Sequence, residues 1–216
     1  GQLALVTVLV FSAGLLARSY AHLHGLDRGF DAAGVHAATF SLDDARWAEA
    51  SAAQSLFTSS IEALEARPEV SGAAVALTLP YERPLNLPIQ RPGVEGNLLT
   101  NLVYVTPGFF PLLDVPVLRG RGLGELDGPT DEIALVANQA FVDQYLDDTP
   151  AIGATIQIGN GMGEAPIVGV VGNVQQAAGG WGDASTPVWQ SPTLYISAQQ
   201  VPAGFLQAVH VWFSPT

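Results

Sequence analysis

The sequence predicts an α+β domain preceded by the end of a transmembrane helix, and three observations carry that prediction. An uncharged apolar run opens the chain, helical periodicity interrupts strand-like segments at two places, and short apolar strands separated by glycine and proline fill most of the rest. The 216 residues suffice for one large or two small domains. Only 13% of them are charged, about half the ~25% usual in soluble domains, so part of the chain is built for surroundings other than water.

Leu3 to Ala17 reads LALVTVLVFSAGLLA, with Thr7 and Ser12 as its only polar side chains. A helix that is apolar on every side belongs in lipid or at the centre of a large core. Crossing a bilayer takes about 20 such residues. The run is shorter and begins at the start of the chain, so residues 1–24 are expected to be the outer end of a membrane helix whose beginning is not in the sequence. A buried core helix and a secretory signal are the alternatives. The signal would need a small-residue cleavage site where Arg18-Ser19-Tyr20-Ala21-His22 stands. Arg18, Tyr20 and His22 suit the interfacial belt. His22 and His24 read as a polar collar rather than a metal pair, because a spacing of two puts them on different faces of a helix.

Beyond the helix lie seven arginines, no lysine and every one of the 20 carboxylates, and the net charge is -12. Such a surface repels a phosphate backbone, which excludes nucleic-acid binding. The absence of cysteine excludes disulfides, thiolate zinc sites, iron–sulfur clusters and cysteine nucleophiles. If the helix spans a membrane, this cation-poor remainder belongs on its outer side, the periplasm in a bacterium with two membranes.

Gly25 to Gly34 has the glycines and aspartates of a turn, and Val35 to Leu42 follows as a strand. Ser41 with Asp44 resembles a capping box, Asp43 and Asp44 serving as helix caps. From Arg46 to Arg67, Ala53, Leu56, Phe57, Ile61 and Leu64 recur at helical spacing, with Glu62 and Glu65 on the solvated face. Arg67-Pro68 ends the helix, and Gly72 to Leu79 supplies a second strand. Strand, helix and strand predict a crossover unit with parallel strands in one sheet. Four prolines (Pro80, Pro84, Pro88, Pro92) argue against a central strand before Gly96, so a surface excursion or an edge ribbon is expected there.

Leu98 to Val105 forms a strand, Thr106-Pro107 caps a short helix through Leu113, and Pro116 to Gly122 is a short strand running into a glycine turn. Glu132 to Val136 leads through Asn138, a helix cap, into a helix with Phe141, Val142, Tyr145 and Leu146 on one side. Ala154 to Ile158 and Pro166 to Val174, separated by the turn Gly159 to Gly163, read as a hairpin. Gly179 to Gln190 is a polar loop carrying Trp181 and Trp189, and strands near Thr193 to Ser197 and Gln207 to Phe213 close the chain. The pattern is unfinished at Thr216, so the chain is expected to continue.

No P-loop occurs, and without lysine none can; G-x-S-x-G, H-E-x-x-H and EF-hand patterns are absent too. Gly120 to Gly124 and Gly159 to Gly163 read as turns rather than phosphate cradles. His36 and His210 stand singly in strands, Asp147 and Asp148 end a helix, and no two carboxylates have a telling spacing. No catalytic, cofactor-binding or metal-binding residue is therefore assigned. Four residues are candidates for contact with a partner. Arg119 and Arg121 alternate and are expected on the same side of a strand, where they either clamp a partner's carboxylate or pair with Glu125 or Asp127. Trp181 and Trp189 either anchor an interface or pin their loop.

Four stretches, in order, carry a resemblance: QLALVTVLVFSAGLLARSY (Gln2 to Tyr20), YVTPGFFPLLDVPVLRGRGL (Tyr104 to Leu123), IALVANQAFVDQYL (Ile133 to Leu146) and IVGVVGNV (Ile167 to Val174). Together they resemble the MacB-like periplasmic core domain of FtsX-like permease subunits of ABC transporters. The resemblance implies a two-lobed extracytoplasmic domain spanning residues 25–216. One lobe is β-α-β and porter-like, about residues 34–80 with the C-terminal strands; the other is mostly β, about residues 98–190. It further implies three more transmembrane helices downstream and a dimer of permease copies in the bacterial inner membrane. ATP is then bound by a cytoplasmic ABC ATPase, a periplasmic adaptor is an accessory partner, and this chain is no enzyme. Motion driven by ATP would pass through the helix to the periplasmic lobes and on to substrate or the adaptor. The turn Leu118 to Arg121 and the strand Ile167 to Val174 are structural on this reading, and the proline-rich stretch from Tyr81 to Gly96 departs from the family pattern. The residues alone also fit a membrane-anchored extracytoplasmic sensor or ligand-binding module, and less well a periplasmic hydrolase. The number of membrane helices encoded after Thr216 separates the first two.

Overall fold

The structure, a computed structural model, describes residues 1–25, 27–42, 47, 49–91, 96, 98–124, 126–129, 132–146, 149–159, 161–176, 191–200 and 208–215. Asp43, Asp44, Glu125, Asp147, Asp148, Trp181 and Trp189, all named above, lie outside them. In chain order the elements are α1 (Gln2–His24), β1 (His36–Ser41), α2 (Ala50–Glu65), β2 (Val70–Ala76), β3 (Leu85–Gln90), β4 (Leu98–Val105) and α3 (Phe109–Leu112). There follow β5 (Val117–Gly120), β6 (Leu135–Asn138), α4 (Gln139–Tyr145), β7 (Thr155–Ile158), β8 (Gly163–Val171), β9 (Thr193–Ser197) and β10 (Ala208–Pro215).

α1 runs past Arg18 to His24, and its stretch Gln2–His22 is long and apolar enough to cross a membrane, with none of it buried against the domain. At 1.5 Å per residue the helix is about 34 Å long, enough for a hydrocarbon layer of about 30 Å.

β1 and β2 are both antiparallel to β10, which lies between them. They are therefore parallel to each other in one sheet, as a crossover unit requires, but the last strand of the chain separates them. α2 covers one face, burying Ala53 and Phe57, with Leu56, Ile61 and Leu64 packed alongside. Its outer face is hydroxyl-rich, and Ser55, Thr58 and Ser59 donate back to helix carbonyls. The helix runs from Ala50 behind Glu49, which makes no side-chain cap bond; Arg46 and the Asp44 of the expected capping box lie outside the described residues. α3 covers the opposite face, where Phe109 and Phe110 join Ala74 and Ala76.

The remaining strands close on themselves. β4 pairs with β3, β3 with β7, β7 with β8, β8 with β6, β6 with β9, and β9 with β4, a ring of six strands. The β2 sheet joins it at Ala76 beside Val105, and β5 lies outside against β8. Strand alternation sorts the core into two: Leu87, Ile89, Leu102, Tyr104, Ile156 and Leu194 share one cluster, while Val103, Val105, Val136, Val171 and Tyr195 face the other way toward α3.

Two local expectations are corrected. The proline-rich stretch contains β3, paired on both sides, with Pro88 inside it. Proline is tolerated because its carbonyl accepts from Gly159 N–H where the β7 ladder ends, so its missing N–H falls where pairing stops. Thr106 does not cap α3, whose N-cap is Gly108. Its buried hydroxyl instead accepts from Val75 N–H at 2.8 Å, joining β2 to the end of β4.

Asn138 caps α4 as its sequence position predicts, its Oδ1 accepting from Phe141 N–H at 2.9 Å. The same oxygen accepts from Thr193 N–H, and Nδ2 donates to the Ser191 carbonyl, so one buried side chain ties α4 to β9.

Candidate contact surface

All four residues of the strand β5 are exposed. The strand hydrogen-bonds to β8 on one edge, with an irregularity between Val117 and Arg119. Gly120 then takes φ +69, and a Cβ there would lie 2.3 Å from the Val168 carbonyl oxygen, so only glycine fits.

That turn sends the two arginines to different places, against the expectation that they share a side. Arg119 is exposed and donates to Gln139 Oε1 at 2.9 Å, and Gln139 in turn donates to Asp143. Arg121 lies past the strand end, where its two terminal nitrogens grip Asp127 at 2.7 and 2.9 Å. Asp127 is 1% exposed and also accepts from Gly124 N–H at 2.8 Å, while the Arg121 side chain is 41% exposed. Burial alone would raise the Asp127 carboxyl, but the hydrogen bonds from Arg121 and Gly124 and the nearby positive charge hold it below the usual carboxylate range. Hydrogen bonding to Asp127 raises Arg121 further, against the opposing effect of burial. Arg121 is thus an internal clamp on the turn 121–127, and Arg119 is the arginine whose surroundings are open.

The same region carries apolar side chains that the sequence reading passed over. Val117, Leu118, Leu126 and Ile152 are exposed, Leu126 by 76%, and Ile152 lies against Gly120. Only Leu126, an isolated leucine in an acidic glycine-rich turn, gives a sequence signal for this surface. Trp181 and Trp189 lie outside the described residues. His36 is on β1, stacked on Phe213, and His210 is on β10.

A second feature lies where the chain leaves α1. Asp27, Gly29, Phe30 and Asp31 border an open cavity of about 510 Å³ with Asp114, Pro116, Gly172 and Asn173. Asp27 and Asp31 each accept from a backbone N–H two residues on. Among the described residues no three histidine, aspartate or glutamate side chains converge so as to hold a metal ion.

The fold resembles solved structures at low identity. The periplasmic region of MacB from Actinobacillus actinomycetemcomitans superposes with a TM-score of 0.55 at 15% identity, covering 87% of this chain and 77% of that one. The extracellular domain of the noncanonic ABC-type transporter YknZ from Gram-positive bacteria gives 0.52 at 13% identity, covering 83% of each chain. Comparison with curated proteins gave no match. Residues 1–214, nearly the whole chain, match the family described as MacB-like periplasmic core domain, and the chain belongs to that family of ABC transporter permease domains.

Proposed function

We propose that the chain is the membrane-anchored periplasmic part of a bacterial ABC-type permease, and that it transmits motion without catalysing a reaction. ATP is bound by a cytoplasmic ATPase, the permease works as a dimer in the inner membrane, and α1 carries displacement outward to the sheet and ring. The observation that carries this reading is the pairing of an unburied, bilayer-length helix with a domain of this family only a few residues beyond it. The exposed strand β5, with Val117, Leu118 and Arg119, offers the cationic and apolar side chains that suit an acidic, amphipathic adaptor or substrate.

The test is export by the full permease reconstituted with its ATPase. Removing residues 25–216 while keeping the membrane helices should abolish export and leave basal ATP hydrolysis largely intact. Undiminished export without the domain would overturn the proposal.

A further inference from the structure

We propose that Arg28–Asp31 form a fixed joint between α1 and the domain, so that movement of α1 is delivered directly to the ends of β8 and α3 rather than absorbed by slack chain. This rests on the transmitting role proposed above and names the residues that would perform it.

Three separate parts of the fold grip these four residues. Gln175 N–H, beyond the end of β8, donates to the Arg28 carbonyl at 3.1 Å. Asp31 N–H donates to the carbonyl of Leu113, a fully buried residue just after α3, at 2.8 Å. Tyr81, in the loop after β2, donates its N–H to the Gln175 carbonyl at 3.0 Å and meets the Phe30 ring edge-on at 5.6 Å. Phe30 also packs on the buried cluster that contains Phe110, Leu113 and Val174.

Backbone geometry at two positions indicates a tight fit. Gly29 has φ +72, and a Cβ there would stand 1.6 Å from the Asn173 carbonyl oxygen, so the two backbones touch and no side chain can come between them. Tyr81 has φ +68, a region that residues other than glycine rarely occupy, and it is held there by its hydrogen bond and ring contact.

Little chain is left to act as a spring. Gly25 caps α1 and Arg28 is already bonded to the domain, and three residues span at most about 10 Å when fully extended. Any larger displacement of the outer end of α1 must move the 172–175 segment and the end of α3, or break these contacts.

The absence of cysteine makes the test clean. Spin labels on S19C in α1 and S59C in α2, with the chain in lipid nanodiscs, report the distance between helix and domain. We expect one narrow distance distribution in the parent, about doubling in width in both Gly29→Ala and Phe30→Ala, with the domain's circular dichroism retained in at least the Phe30 variant. A broad distribution in the parent, or an unchanged width in both variants, would overturn the joint. Widened distributions together with undiminished export by the full permease would leave the joint standing and overturn the transmitting role, so the two ideas fail separately.

Discussion

Replacing Arg121 by Met keeps most of the apolar stem and removes the guanidinium, leaving Asp127 buried with the Gly124 N–H as its remaining side-chain partner. Breaking a fully buried ion pair from one side costs about 3–5 kcal/mol. Because the Arg121 side chain is 41% exposed and the pair is partly screened by water, about 2–3 kcal/mol is expected here. For a domain of this size that lowers the melting temperature by about 5–10 °C. Asp127→Asn, which leaves a half-exposed guanidinium free to meet water, should cost only about 1 kcal/mol. The double variant should be more stable than the sum of the two by at least about 1 kcal/mol, because the two groups touch. The pH dependence has a definite sign. The Asp127 carboxyl is held below the usual carboxylate range in the folded state, so the pair's contribution is present above that range and is lost as pH falls through the folded value. The difference between parent and Arg121→Met should therefore shrink below about pH 4. Thermal and urea denaturation of the parent, both single variants and the double variant would provide the measurement. Strictly additive effects, or a difference that persists unchanged down to pH 2, would refute the reasoning.

Asn138→Ala removes one helix cap and the partners of Thr193 N–H and the Ser191 carbonyl, so a loss of about 3–4 kcal/mol is expected, with Asn138→Asp recovering part of it; urea midpoints decide. Thr106→Val leaves Val75 N–H without its buried acceptor and should cost about 1–3 kcal/mol, read by thermal denaturation. Phe57→Ala, at a side chain 1% exposed between α2 and the core, should cost about 3–5 kcal/mol by the same assay. Leu118→Asp combined with Arg119→Glu should change stability by no more than about 0.5 kcal/mol while lowering export by the full permease, because both side chains are exposed; export at the parent rate would remove this surface from the proposed contact.

Most elements were legible because their signals are local. The periodicity of Ala53, Phe57 and Ile61 marks α2, Asn138 announces the start of α4 by its capping chemistry, and the glycine turn between β7 and β8 specifies their hairpin. Errors arose where a local rule met a tertiary exception. Four prolines argued against a paired strand, yet Pro88 sits in one because the neighbouring ladder stops at its missing donor. Alternation put Arg119 and Arg121 on one side, but the left-handed turn at Gly120 separates them, and the close approach of Val168 behind that turn is a long-range fact. Residues Arg28–Asp31 looked like an ordinary Gly/Asp turn because the partners that tie them to the domain, Gln175, Leu113 and Tyr81, are distant in sequence.

By itself, then, the sequence determined the apolar opening helix, the acidic cysteine-free remainder and the order of most helices and strands, each of which follows from composition, period or motif over a short span of chain. The family rested instead on the resemblance of four ordered stretches spread over nearly the whole chain. Tertiary structure alone decided that β10 separates β1 from β2, that six strands close into a ring, and that Arg121 turns inward while Arg119 faces out. Strand partners and ion-pair partners depend on which distant segments meet, and that meeting is set by the joint burial of both faces of the sheet rather than by any one stretch of residues.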